Sequence, residues 1–342
     1  MPIEISVFDP SSASDVDVAQ HYGLMKEVMT LDHPDQPLPT LGEYIELIGS
    51  PVTAAGPISR WVMREDGHIV AGASAIYPRH ENSHVTLVRV VVRPARRREG
   101  AGTTMLRAVL PDLSIDGRTL VMANGVKADA SGESWARELG FVRSRAHERQ
   151  MLALADVDPA LWERSVPDGF RLERWIGSAP ENLLEEYARA RTAILDAPRG
   201  DSQLETTAWT AERVRAHEAD LRTHEVQSVV TVAVHEFSGR IAGITEIELW
   251  PNQPSQAMQM DTAVVAAFRG HGLGLAIKGA MLRWLRVERP AIAEIYTQTA
   301  HDNTYMNRIN HDLGYTTLAV VAELQIGVAE LTERLKAVRE CH

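Results

Sequence analysis

Cysteine is nearly missing from this chain. Of its 342 residues only Cys341 carries a thiol, so no intramolecular disulfide can form and a thiol nucleophile is not expected. Long apolar runs are missing too. No stretch approaches the ~20 residues that span a bilayer, and Met1-Pro2-Ile3-Glu4-Ile5 lacks the basic start and apolar core of a secretory leader. The expectation is a cytoplasmic protein that does not engage a membrane. Positive charge is scarce: the net charge of −11 argues against nucleic acid as a partner, because such binding works by neutralising phosphates. It is compatible with a cationic or amine-bearing substrate. The thirteen histidines show no ligand spacing, so no metal is expected. His235-Glu236 and His147-Glu148 meet Gly239 and Met151 where a zinc-protease motif needs its second histidine.

What the chain does have is one design used twice. Arg97-Arg98-Glu99-Gly100-Ala101-Gly102 and Arg269-Gly270-His271-Gly272-Leu273-Gly274 both read Arg-x-x-Gly-x-Gly. Each follows an apolar, β-branched run (Val88 to Val92; Ala263-Val264-Val265) and precedes an apolar helical pattern. A strand feeding a glycine-rich turn that opens a helix is a way to hold a pyrophosphate. Glycines let the backbone approach, N–H groups point inward, and the helix N-terminus adds about half a positive charge. Neither copy ends in the Gly-Lys-Ser/Thr of a nucleotide P-loop, and Leu275 and Ile277 stand where a dinucleotide fingerprint needs its last glycine. Arg93, Arg96, Arg97 and Arg98 crowd the first loop and suggest a grip on a polyanion.

The repeat organises the rest. Downstream of each loop come a helix, a strand (Thr119–Ala123; Ile292–Thr299), a second helix, then Leu139-Gly140-Phe141 or Leu313-Gly314-Tyr315 and a strand-like segment (Phe141–Leu154; Tyr315–Gly327). Upstream, each half should begin with helices and continue into an antiparallel pair, Trp61–Arg64 with Ile69–Ile76, and Val229–His235 with Ile241–Leu249. Ser178-Ala179-Pro180-Glu181 has capping-box spacing, and a second helix should run from about Thr210 through Leu221. Asp32 to Pro37 and Asp196 to Asp201 break the upstream helices. At this length two α/β domains are expected, 1–157 and 168–342, punctuated by Asp158-Pro159 and Pro167-Asp168-Gly169.

These pieces resemble a known family. Val92-Arg93-Pro94 through Gly102 with Leu139-Gly140-Phe141, and Asp261-Thr262-Ala263-Val264 through Gly274 with Asn303-x-x-Met306-x-x-x-Asn310-x-x-Leu313-Gly314-Tyr315, look like two GNAT-superfamily N-acetyltransferase domains in tandem. The layout is similar to that of the actinobacterial tandem acetyltransferases such as mycothiol synthase, and the second half matches more specifically. The resemblance implies two tandem GNAT folds, each a mixed, mostly antiparallel sheet with a splayed central strand pair flanked by helices. It implies acetyl-CoA, its pyrophosphate on Arg269, Gly270, His271, Gly272, Leu273 and Gly274, its pantetheine arm along Ala263, Val264 and Val265, with Asn303 nearby. The first half would use Val92, Arg97, Arg98, Gly100 and Gly102 in the same way.

The usual acid–base positions of that family are vacant: Met258 and Thr86 replace the glutamate, Asn310 and Ala136 the tyrosine. Glu246 and Glu248 share a face of the Ile244–Leu249 strand, and Asp261 lies two residues before the cofactor segment. Glu246 and Asp261 are the carboxylates taken as catalytic, while Glu248 reads first as a solvent-facing strand charge. Tyr305 is taken as the thiolate-protonating group, ahead of Tyr296 and Tyr315. The activity expected is acetyl transfer to a primary amine of a small molecule by direct attack on the thioester, by a monomer or homodimer. The alternatives are an acyl-CoA-binding sensor or scaffold, and a protein acetyltransferase. The second half is expected to be the active one, with a pocket lined by Asp196–Asp201.

Overall fold

The structure is a computed structural model that describes residues 3–34, 36, 38–49, 56–206 and 208–340; Cys341, Asp35 and Pro37 lie outside these. Two compact units emerge. The first comprises 1–145, 200–205 and 321–342, the second 146–199 and 206–320. This differs from a cut at 157–168, because the first unit takes its last strand from the end of the sequence and most of β6, from Ala146, already belongs to the second. In the presumed linker, Trp162 is fully buried in the core of the second unit, and its indole N–H donates to the Leu313 carbonyl at 2.9 Å.

The first unit runs β1 (Ile3–Val7), α1 (Asp15–Asp32), α2 (Leu41–Gly49), β2 (Ile58–Glu65), β3 (His68–Ile76), β4 (Val85–Val92), α3 (Ala101–Leu113), β5 (Leu120–Lys127), α4 (Ser131–Glu138) and the start of β6 (Val142–Ala153). The second holds the rest of β6, then β7 (Phe170–Ile176), α5 (Leu184–Thr192), α6 (Ala211–Thr223), β8 (Gln227–His235), β9 (Ile241–Leu249), β10 (Gln256–Val264), α7 (Leu273–Glu288), β11 (Glu294–Ala300), α8 (Thr304–Asp312) and the start of β12 (Thr316–Gly327). From Val321 on, β12 returns to the first unit, followed by α9 (Val328–Glu340). The sheet orders are β1-β2-β3-β4-β5-β12 and β6-β11-β10-β9-β8-β7. Every pairing given within them is antiparallel except β4 with β5 and β10 with β11. No described helix is long and apolar enough to cross a membrane.

Each half therefore opens with a strand, not with helices. The period-two alternation of Ile3-Glu4-Ile5-Ser6-Val7 and Phe170-Arg171-Leu172-Glu173 is the signal for it. The β2–β3 pair forms as expected around Asp66 and Gly67, both at positive φ (49° and 79°), as a two-residue hairpin turn requires. The capping box at Ser178 does not form. Ser178 accepts instead from Arg222 and Glu181 pairs with Arg215, while the chain makes a 3-10 turn at Glu181–Leu183 before α5 begins. Thr210 does cap α6, accepting from the Arg213 N–H.

In each unit the sheet is covered on both faces. In the first, Met105, Leu106, Val109 and Leu113 of α3 pack on Met63, Ala71, Val88 and Val121, and the other face takes Leu24 and Val28 of α1 and Tyr44 and Ile48 of α2 against Val62 and Ile69. In the second, α7 covers one face through Met281, Leu282 and Leu285. Leu184, Tyr187 and Ala188 of α5 and Val214 of α6 cover the other. Burial of this apolar surface, at about 25 cal/mol per Å2, is the main favourable term in folding.

Candidate active site

The parallel strand pairs part. β10 and β11 are in register at Gln256 with Glu294, Ala257 with Ile295 and Met258 with Tyr296, and pair no further, though β10 continues to Val264 and β11 to Ala300. β4 and β5 do the same after Val85 with Leu120, Thr86 with Val121 and Leu87 with Met122. Each unit thus has a slot between two strands, ending at a glycine loop.

The two loops share one backbone path. Gly100 and Gly272 are the N-caps of α3 and α7 at φ 83° and 77°, and neither helix has a side-chain cap, so the first N–H groups remain available to an anion. Two residues earlier, Arg98 and Gly270 both have positive φ (65° and 84°). A Cβ at Gly100, Gly270 or Gly272 would meet nothing within 4 Å, so the cradle is open where a phosphate would lie. The third glycines have another task. A Cβ on Gly102 would come within 3.3 Å of the Trp135 ring, and one on Gly274 within 3.0 Å of Ile309. They let α3 and α7 approach the next helix.

The leading arginines brace the loops. Arg97 donates from Nε to the Val92 carbonyl at 3.1 Å and grips Asp32 with both terminal nitrogens at 2.9 and 2.7 Å. Arg269 donates from Nε to the Val264 carbonyl at 3.1 Å and from Nη2 to Asp196 at 2.5 Å. Asp32 and Asp196, both at the ends of upstream helical segments, are partners that sequence reasoning did not find. In the arginine cluster, Arg93 pairs with Glu27 and Arg96 with Glu65 and Glu99. Arg98 alone is exposed with no ion pair among the described residues. His271 turns its Nδ1 toward the loop's own carbonyls at Phe268 and Arg269. Asn303 accepts from the Met306 N–H as the N-cap of α8. Asp201 falls away from this site, because 200–205 belongs to the first unit, where the Asp201 N–H donates to the Ser144 carbonyl and Glu205 bonds Asn82.

On the α5–α6 side of the second unit lies a cluster of buried charge. Glu246 is 2% exposed. It accepts from Ser228 Oγ at 2.7 Å and lies 3.1 Å from Arg191, which also approaches Asp261 at 3.7 Å. The Arg191 guanidinium lies 3.6 Å from the centroid of the Trp209 ring, so its position is fixed by both charge and the aromatic face. Glu248, read from sequence as solvent-facing, is only 4% exposed. Burial, and then the charge of Glu246, push its carboxyl up to about 7, against a hydrogen bond from the Trp250 indole N–H. Burial likewise raises Asp261, with Arg191 opposing, although about a third of its side chain, 35%, reaches solvent. A group both accessible and deeply surrounded is one on a groove floor. Burial lowers His217, keeping it neutral near pH 7. Donor atoms of His217, Glu246 and Glu248 lie within 4.8 Å of one another, a convergence that no sequence spacing announced.

Register explains where Glu248 stands. Ser228, Glu248, Met258 and Tyr296 form one cross-strand row, whose members share a face. Met258 is the position where the family's glutamate is missing and also the last paired residue before β10 and β11 part. A carboxylate thus stands one strand over, at the closed end of the slot. The same row of the first unit, Ile58–Ile76–Leu87–Met122, is apolar throughout.

The tyrosines divide. Tyr305 is 61% exposed in the first turn of α8. Tyr296 donates to Glu294 at 2.8 Å. Tyr315 is buried with Lys278 Nζ 5.0 Å from its ring centroid. Asn310, at the position of the family's tyrosine, is buried and donates to Gln150 Oε1 at 2.6 Å and Thr299 Oγ1 at 3.1 Å. It is part of a packed polar network.

Comparison with known proteins agrees with this architecture. Residues 23–141 match the Acetyltransferase (GNAT) family, so the match lies in the first half, although the motifs looked more specific in the second. The chain is 27% identical over 251 residues to a mycothiol acetyltransferase of Nocardia farcinica, covering 72% of this chain and 78% of that one. It is 28% identical over 259 residues to the mycothiol acetyltransferase of Thermomonospora curvata, covering 75% and 78%. Among solved structures it is similar to a tandem GNAT protein from the clavulanic acid biosynthesis pathway, with a TM-score of 0.76 at 23% identity, over 96% of this chain and 99% of that one. A duplicated slot-and-loop sheet, a GNAT-family match over residues 23–141, mycothiol acetyltransferase relatives and a tandem GNAT structure of the same fold point the same way: this chain is similar to tandem-domain acetyltransferases of the GNAT family.

Proposed function

We propose that the second unit moves the acetyl group of acetyl-CoA to a primary amine of a small molecule. The observation that carries this is Glu248, a buried carboxyl held near 7 at the closed end of the β10–β11 slot. The open cradle of Gly270, Gly272 and the uncapped α7 N-terminus fits a pyrophosphate, and β10 from Ala263 to Val264, no longer paired to β11, offers backbone to a pantetheine arm. When bound, acetyl-CoA supplies an activated acyl group.

The remaining work falls to this chain. A primary amine at neutral pH is mostly an ammonium, attracted to a groove where Glu246, Glu248 and Asp261 lie around Arg191. The amine must lose a proton before it attacks, and a base with pKa near the working pH is best matched to take it. Glu248 holds that proton. Glu246 and Asp261, tied to Arg191, orient the acceptor and stabilise its charge. Strand amides polarise the carbonyl, and Tyr305 Oη, exposed at the start of α8, is the donor to the departing thiolate. The relatives' shared name fits a small-molecule acceptor, and we infer that class here. The first unit, with an apolar row where Glu248 would be, binds or supports without catalysing.

The test is calorimetric titration of acetyl-CoA into wild type, Gly272→Trp and Gly100→Trp, with folding checked by circular dichroism, followed by thiol release with a panel of primary amines. Loss of turnover in Gly272→Trp alone supports the second unit as the active one. If no amine elicits CoA release while acetyl-CoA binds, the chain is a binder without chemistry. If acetyl-CoA does not bind, the whole reading is lost.

A further inference from the structure

The face of the first unit equivalent to the acidic groove carries the opposite charge. Arg60, Ser74 and Arg89 are cross-strand neighbours in one row of β2, β3 and β4. They lie on the sheet face that α1 and α2 cover, since Val62 and Val91, two residues along the same strands, pack on those helices. Arg89 stands eight residues before Arg97, as Asp261 stands eight before Arg269. The two units thus place a guanidinium and a carboxylate at the same point of the same frame.

Neither arginine has a side-chain hydrogen bond or ion pair among the described residues, although arginines elsewhere in this unit do: Arg64 with Asp17, Arg93 with Glu27, Arg97 with Asp32. Their surroundings lower the pKa of both. Arg89 is nonetheless accessible to water, so, like Asp261, it lies on a groove floor. The wall above is buried His21 of α1, hydrogen-bonded to Tyr44 of α2 at 2.6 Å and stacked on Phe8 at 4.5 Å. Burial first, then Arg60 and Arg89, press His21 down to about 4, so it adds no charge. The carboxylates whose charge reaches these arginines, Asp9 for Arg60 and Asp32 for Arg89, are committed elsewhere, Asp9 to Ser11 and Ser12 and Asp32 to Arg97.

Strands lie about 4.8 Å apart, so two arginines in one row with a serine between are about 10 Å apart at their Cα atoms. Two long side chains at that spacing can converge on one anion. Guanidinium forks match a planar carboxylate in a bidentate fashion. We propose that this groove is a binding site for a carboxylate-bearing small molecule, distinct in ligand class from the amine site of the second unit and independent of the acetyl-transfer reading. The carboxylate can belong to a free metabolite or to the acyl end of an acyl-CoA held in the β4–β5 slot.

The experiment is calorimetry on the full chain with succinate, succinyl-CoA, acetyl-CoA and, as a cationic control, glucosamine, for wild type, Arg60→Gln and Arg89→Gln. Thermal midpoints are measured alongside; because neither arginine makes a side-chain hydrogen bond or ion pair among the described residues, the substitutions should leave the fold intact. Saturable succinate binding, weakened at least tenfold by either substitution, supports the site with a free ligand. Succinyl-CoA binding at least tenfold tighter than acetyl-CoA, an advantage lost in Arg89→Gln, supports it with an acyl-borne carboxylate. Absence of both effects, or binding that survives both substitutions, overturns it.

Discussion

A carboxyl kept half-protonated at neutral pH destabilises the fold, and Glu248→Gln should relieve that. In the folded protein its pKa rises from 4.5 to about 7. Below about 4.5 the group is protonated in both states and contributes nothing to the difference. Between there and about 7 the folded state holds the proton more tightly, so stability falls as pH rises, and above about 7 the loss is complete. Two to three units correspond to about 3 kcal/mol, an upper value because the site relaxes. Glutamine keeps an oxygen for the Trp250 indole N–H at 3.1 Å and cannot ionise. Urea unfolding of both proteins at pH 5 and pH 8 reads the effect, since all other titrations largely cancel between them. The variant should gain about 2–3 kcal/mol relative to wild type at pH 8 and under ~1 kcal/mol at pH 5, while losing the limb of the acetyl-transfer pH profile that rises through about 7. A stability difference that is the same at both pH values, or an unchanged pH–rate profile, would refute the assignment of Glu248 as the proton acceptor.

Arg191→Met leaves Glu246 and Asp261 buried without their cation. It should cost about 3–5 kcal/mol, as read by the same urea curves at pH 8. Asp196→Ala removes a partner of Arg269 that is, like Arg269 itself, 50% exposed. Stability should change by no more than about 1 kcal/mol, whereas the KM for acetyl-CoA should rise several-fold with kcat nearly constant, because the loop loses a brace and not a reacting group. Gly274→Val should fail differently from Gly272→Val. The first overpacks Ile309 and costs about 1–3 kcal/mol, which thermal unfolding will show. The second meets no neighbour but strains a residue at φ 77° and fills the cradle, so calorimetry should show lost acetyl-CoA affinity out of proportion to its stability.

Much of this was legible because the sequence repeats itself. Two Arg-x-x-Gly-x-Gly turns in matching contexts placed both loops and the helices after them, and the family resemblance implied the slots. What stayed hidden depends on cross-strand register and on side-chain partners. Glu248 looks like an edge charge until β9 is laid against β10 and β8, when it proves to be the neighbour of Met258. Arg97 and Arg269 look like phosphate ligands until Asp32 and Asp196 are seen to hold them. The capping box at Ser178 lost to Arg222 and Arg215, a competition between local and tertiary partners that spacing alone does not reveal. The composition of the units escaped because β12 from Val321 completes the sheet of the first unit and β6 from Ala146 that of the second, and strand pairing between segments so far apart in sequence leaves no local signal.

Arg98 is the point at which the two copies differ most sharply. It holds the positive φ that its counterpart Gly270 adopts without cost, and a non-glycine residue in that region costs about 1–2 kcal/mol. Glycine at the same place would relieve the strain but lose about 0.5–1 kcal/mol through the greater freedom of the unfolded chain. Arg98→Gly should therefore be close to neutral, within about 1 kcal/mol in urea. Stability gives no reason to keep the arginine. Charge does: of the four arginines around the first loop it alone has no carboxylate partner among the described residues, and it stands beside an uncapped helix N-terminus with an open cradle. If the first loop holds a polyanion, Arg98→Gly weakens one component of the CoA isotherm by several-fold and leaves the other untouched, and the strain is retained for binding. If instead the variant gains more than ~1 kcal/mol and both CoA components persist unchanged, the strained arginine serves no ligand and the first loop is scaffolding.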